Sequence, residues 1–141
     1  MVELDKFIKI FEGLTTAYGQ TIKTDQFSEK GKHKTKSFTI SNPVTKKLWR
    51  EHLEGKDPAL GIVPINKENK CKWGCIDIDT YPFDHKKFIQ KLKEKNIPMI
   101  VCRSKSGGAH AFLFTKEFVP ATVMRVKLKL IASAMGFAGV E

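Results

Sequence analysis

Asp77 and Asp79 stand in the apolar stretch WGCIDIDTY, residues 73 to 81, separated only by Ile78. Side chains alternate faces along a strand, so acids at i and i+2 point the same way about 7 Å apart. Ile76 and Ile78 then turn to the opposite face, where helices cover them. Two carboxylates this close repel each other unless a proton or a cation lies between them. Oxygen-only ligands suit Mg²⁺ or Mn²⁺. Acids on one strand that hold two such ions are the apparatus of phosphoryl transfer on nucleotides. The plainer alternative is a solvent-facing strand end whose acids pair with lysines.

A second group of residues follows in RSKSGGAHAF, residues 103 to 112. Arg103 and Lys105 are cationic, His110 becomes so on protonation, and Ser106 offers a hydroxyl. Gly107 and Gly108 let the backbone approach a bound group and present N–H donors to phosphate. A glycine turn is also what any hairpin needs, and a lone strand histidine is often structural. The company of Ser106, the two glycines and the two acids points His110 instead to the triphosphate of a metal-bound nucleotide.

The elements that must position these residues follow from periodicity. Residues 4–14, LDKFIKIFEGL, carry a helical apolar stripe closed by glycine. Residues 23–37 are polar and basic with little period and predict a loop or mobile arm. Residues 45–55 predict a short helix stopped by Gly55, with Leu48, Trp49, His52 and Leu53 on one side, and 59–65 a short strand. Strand 74–79 is followed by helix 84–96, which opens at an Asp84 N-cap and carries Phe88, Ile89 and Leu92 inward. Strands 98–104 and 109–114 flank the glycine turn, helix 120–137 follows, and 139–141 begins a fourth strand. The order strand, helix, strand, strand, helix, strand predicts an α+β fold, a split βαβ core of the ferredoxin-like or RRM-like kind with an N-terminal αβ extension. Its first and third strands lie side by side, which carries His110 to the acids. The chain reads as a single domain, with residues 1–65 as the extension and 73–141 as the core.

The chain has 141 residues, 41% of them apolar and 28% charged, enough for one domain with a core. No apolar run approaches the ~20 residues of a membrane span, and the mixed-charge N-terminus is not a signal peptide. A cytoplasmic protein is the expectation, neither membrane-bound nor secreted. Cys71, Cys75 and Cys102 predict free thiols, since no nearby Cys/His pair completes a zinc set. Lys and Arg number 25 against 15 Asp and Glu, a net charge of +10, which favours a polyanionic partner, nucleic acid foremost.

CIDID followed by SKSGGAHAF resembles the first two motifs of the archaeo-eukaryotic primase, or primase-polymerase, superfamily. The upstream LWREHLEGKDPALGIVPI is similar to the segment before the acid pair in the phage, plasmid and conflict-system branch, so the resemblance covers roughly residues 45–141. It implies a template-dependent DNA primase and polymerase in which Asp77 and Asp79 hold two divalent ions, Mg²⁺ or Mn²⁺, with no organic cofactor. Arg103, Lys105, Ser106, Gly107, Gly108 and His110 would bind the incoming NTP or dNTP. The family's third acid falls on the strand after the second core helix, where Glu141 is the available residue. The resemblance also implies a piece of a longer protein with a helicase downstream, from a phage or other mobile element.

Candidates to carry a single-stranded DNA template are Lys32, Lys34 and Lys36 in the arm, Lys46, Lys47 and Arg50 on the short helix, and Lys70 and Lys72 before the acid strand. Trp49 either stacks on a base or, by its helical spacing with Leu48 and Leu53, packs in the core. Two alternatives compete with the primase. One is a non-catalytic, RRM-like single-strand binder, which reads bases with aromatics on its sheet face. The other is a metal-dependent nuclease or cyclase with a similar acid pair.

Overall fold

Thr45 opens helix α2, Lys46–Leu53, by accepting a hydrogen bond from the Leu48 N–H at 3.4 Å. The helix turns Trp49 inward, where its ring meets Phe7 of helix α1, Val2–Ile10, edge-on at 5.9 Å. Trp49 is therefore core, not a base-stacking platform, which corrects its assignment as a nucleic-acid contact. Leu53, expected on the same buried side, is nearly half exposed.

The computed structural model describes residues 2–29, 31 and 33–137. They fall in two compact units, Met1–Glu68 and Asn69–Glu141. In the first, β1, Tyr18–Phe27, pairs antiparallel with β2, His33–Ile40, and on its other side with β3, Ala59–Gly61. The segment expected to be a loop or arm is thus largely a β-hairpin. Its sequence hid this because all of β2 but its last residue is exposed, so neither face needs an apolar alternation. Cross-strand polar pairs hold it instead, such as the Thr21 and Ser37 hydroxyls at 2.9 Å and Thr24 Oγ1 donating to the Lys34 carbonyl at 2.9 Å.

The second unit carries β4, Lys70–Ile78, α3, His85–Glu94, β5, Met99–Arg103, β6, Ala109–Pro120, and α4, Ala121–Ala134. Its sheet has the order β4-β6-β5, with β6 antiparallel to both neighbours. The two strands that flank α3 are therefore parallel with a third inserted between them, the split βαβ arrangement expected. Ile76 and Ile78 of β4, and Ala109, Ala111 and Leu113 of β6, are buried with Phe88 and Leu92 of α3 and Met124 and Ile131 of α4. Ile89, expected inward, is 37% exposed. Gly74 lets α4 approach β4, since a Cβ there would lie 2.6 Å from Leu128 Cδ1.

Both core helices stop by the same device. Asn96 and Gly136 take positive φ, and the following Ile97 and Phe137 N–H groups reach back to the Leu92 and Ala132 carbonyls, at 2.9 and 2.8 Å. Helix α3 starts where the sequence placed it, with Asp84 accepting from the Lys87 N–H at 3.0 Å. Asp84→Ala is expected to lower unfolding free energy by about 1 kcal/mol, seen as a reduced urea midpoint at unchanged slope. No helix among the described residues is long and apolar enough to cross a membrane. Residues 138–141, with the expected fourth strand and Glu141, lie outside the described residues.

Candidate metal and nucleotide site

Burial of Ile76, Ile78, Ala109 and Ala111 turns the residues between them to the other face of the sheet. Asp77 and His110 are direct partners across β4 and β6. His110 Nε2 lies 3.4 Å from Asp77 Oδ1, an ion pair when the imidazole is protonated. Both side chains keep water access, at 43% and 56% exposure. The strand adjacency expected from element order thus brings the two motifs together.

Asp79 sits one residue past the end of β4. Its Oδ1 accepts a hydrogen bond from the Tyr81 hydroxyl at 2.9 Å. The same hydroxyl lies 2.6 Å from Ser106 Oγ, which lies 3.2 Å from the Ser104 hydroxyl. Ser104 is buried, while Asp79, Tyr81 and Ser106 are exposed. Tyr81 was not among the sequence candidates. Its only sequence signal was a phenol two residues beyond the acid pair.

The turn between β5 and β6 explains both glycines. Gly107 takes φ +99°, a conformation that side chains disfavour. A Cβ on Gly108 would stand 2.1 Å from the Ile78 carbonyl oxygen, so only glycine lets β6 begin this close to β4. The Gly107 N–H donates to the Ser104 carbonyl at 3.0 Å and closes the turn. That corrects its expected use as a phosphate donor. The Gly108 carbonyl accepts from the Ser104 N–H at 3.0 Å and from His85 Nε2 at 2.8 Å. His85, in the first turn of α3, also escaped the sequence reading. It pins the turn with an Nε2–H.

Arg103 is not brought to His110. It pairs with Ala109, whose side is the helix-covered one, and lines an open cleft of about 410 Å³ with Pro82, Phe83, Asp84, His85 and Lys86. Asp77, paired with His110, faces the other side of the sheet. Lys105 is exposed at the turn. Lys72 holds its amine 5.5 Å from the centre of the Phe118 ring. In the first unit Lys34 and Lys36 are exposed on β2 and Arg50 on α2.

The face that carries Asp77 and His110 is also aromatic. Trp73 pairs with Phe114 and Cys75 with Phe112 in the same register. Phe112 meets Trp73 at 6.1 Å and stacks on Phe114 at 6.0 Å. All three cysteines are free thiols. Burial, with help from Asp77 and Cys102, pushes the Cys75 thiol up to about 12, so it is neutral at physiological pH.

Among the described residues no three His, Cys, Asp or Glu side chains converge into a full metal cage. Two exposed carboxylates with oxygen donors nonetheless suit Mg²⁺, which keeps several waters and takes substrate phosphates beside one or two protein carboxylates.

A sequence-family profile described as the Archaeo-Eukaryotic Primase domain of the TOTE conflict system matches residues 7–138. The match takes in both compact units and the β-hairpin. No curated protein matches the chain.

Proposed function

Because the chain belongs to the archaeo-eukaryotic primase domains of TOTE conflict systems, a primase-like nucleotidyltransferase family, we propose that it is a template-dependent DNA primase and polymerase that makes and extends primers on single-stranded DNA. The observation that carries this reading is the register that sets Asp77 opposite His110, with Asp79 joined through Tyr81 to the turn at Ser106.

Asp77 and Asp79 would hold the divalent ions, with Glu141 as a third acid. Mg²⁺ or Mn²⁺ bound there supplies Lewis acidity toward the attacking hydroxyl and the triphosphate. His110 presents its imidazole to the phosphates of an NTP or dNTP. Ser106 and Lys105 add a hydroxyl and a charge on the same turn. Arg103 offers its guanidinium from the other side of the strand end. Lys34, Lys36, Arg50 and Lys72 offer cations to template phosphates, a contact that gives affinity without sequence preference. A helicase, as a further domain or a separate partner, and the cytoplasm of a bacterium or infected host belong to the same proposal.

The aromatic row of Trp73, Phe112 and Phe114 favours a second reading, a single-strand binder of the RRM kind. Binding of dATP and ATP with Mg²⁺ or Mn²⁺, and primer synthesis on single-stranded DNA, separate the two. The primase is expected to bind triphosphate only with metal, and His110→Ala to weaken that binding about tenfold, the value of one charge-assisted hydrogen bond. Single-strand binding with neither triphosphate binding nor product would leave the binder.

A further inference from the structure

Asp79 is tied to the glycine turn by one side chain. Tyr81 has a single hydroxyl proton but two oxygen partners, Asp79 Oδ1 at 2.9 Å and Ser106 Oγ at 2.6 Å. An ionised carboxylate only accepts, so the phenol proton goes to Asp79. Ser106 must then donate to the Tyr81 oxygen, which spends its own proton. Ser104, 3.2 Å away, is left to donate to Ser106. Three hydroxyls therefore point one way, from the buried Ser104 outward to the carboxylate, and each polarises the next. The inner end is anchored in backbone: the Ser104 carbonyl accepts from Gly107, and its N–H donates to Gly108.

We infer that Tyr81 is a positioning residue, which fixes the orientation of the Asp79 carboxylate and clips the acid pair to the triphosphate-facing turn. The inference rests on the proposed role of Asp77 and Asp79 as cation ligands. Asp79 lies beyond the last ladder residue of β4, so the strand does not hold its side chain. With Oδ1 engaged by Tyr81, the other carboxylate oxygen stays open to a cation. Hydrogen bonds of this kind to a ligating carboxylate typically change metal affinity 10–100-fold. Tyr81 is half exposed, so the lower end applies here.

The test is Mn²⁺ binding to the whole chain, read from the electron paramagnetic resonance signal of free Mn²⁺. The proteins are wild type, Tyr81→Phe, Ser106→Ala, and a double variant with Asp77→Ala and Asp79→Ala. Tyr81→Phe is expected to weaken Mn²⁺ binding about tenfold with an unchanged melting temperature, and to recover primer synthesis at saturating Mn²⁺. Ser106→Ala, which cuts the clip at its far side, is expected to lose a few-fold, and carries the test should Tyr81→Phe fold poorly. If both single variants bind Mn²⁺ as wild type does, while the double variant does not, Tyr81 has no positioning role and the metal reading stands. If wild type binds no Mn²⁺, or the double variant binds as wild type does, the metal reading falls and this inference falls with it.

Discussion

Asp77→Asn is expected to lower primer synthesis by about a thousandfold or more, roughly 4 kcal/mol of transition-state stabilisation. Asparagine keeps the size of the side chain and removes its charge. The charge has no work in the core, because Asp77 faces away from Ile76 and Ile78 and is more than half exposed. Stability is accordingly expected to stay within about 0.5 kcal/mol of wild type. Product formation on a single-stranded template, followed beside thermal melting of the same samples, checks both halves. Wild-type synthesis by the variant would remove Asp77 from the catalytic machinery. Lost synthesis with a lowered melting temperature would mean that the acid is structural.

Gly108→Ala is expected to have the largest effect on folding. The new methyl would lie 2.1 Å from the Ile78 carbonyl oxygen. Both partners are backbone at a paired strand end, so neither yields as a flexible side chain would. A cost of about 2–4 kcal/mol follows, as for overpacking of a rigid core site. The clash would also push β6 from β4 at the point where Asp77 meets His110, so nucleotide binding should fall with stability. Gly107→Ala provides the contrast. No atom stands within 4 Å of a Cβ there, and the cost comes from φ +99° alone. That cost is expected at about 1–2 kcal/mol. Denaturant midpoints of the two variants compare them directly. Equal midpoints would mean that the turn relaxes around position 108.

Much of the core was legible because its signals are local. Asp84 as an N-cap and the inward Phe88 and Leu92 of α3 need only neighbours in sequence to be seen. The alternation of CIDID marked one buried and one open face, and both hold for Ile76, Asp77 and Ile78. The β1–β2 hairpin was illegible for the opposite reason. β2 buries almost nothing, and Lys34, Thr35, Lys36 and Ser37 look the same in a loop as in an exposed ladder. Trp49 carried two compatible meanings, and the approach of Phe7 chose packing.

The sequence by itself determined the acid pair, the glycine turn and the order of elements that makes β4 and β6 neighbours. These depend on chain spacing and on the period of strands and helices. Only the tertiary structure decided how the groups meet. Register set Asp77 against His110 and turned Arg103 to the helix-covered face. Close packing on the Ile78 carbonyl made Gly108 obligatory, and the folded turn brought Ser106, Tyr81 and Asp79 within hydrogen-bond reach. Contacts across 25 residues of chain depend on where two backbones come to lie, and no local period encodes that.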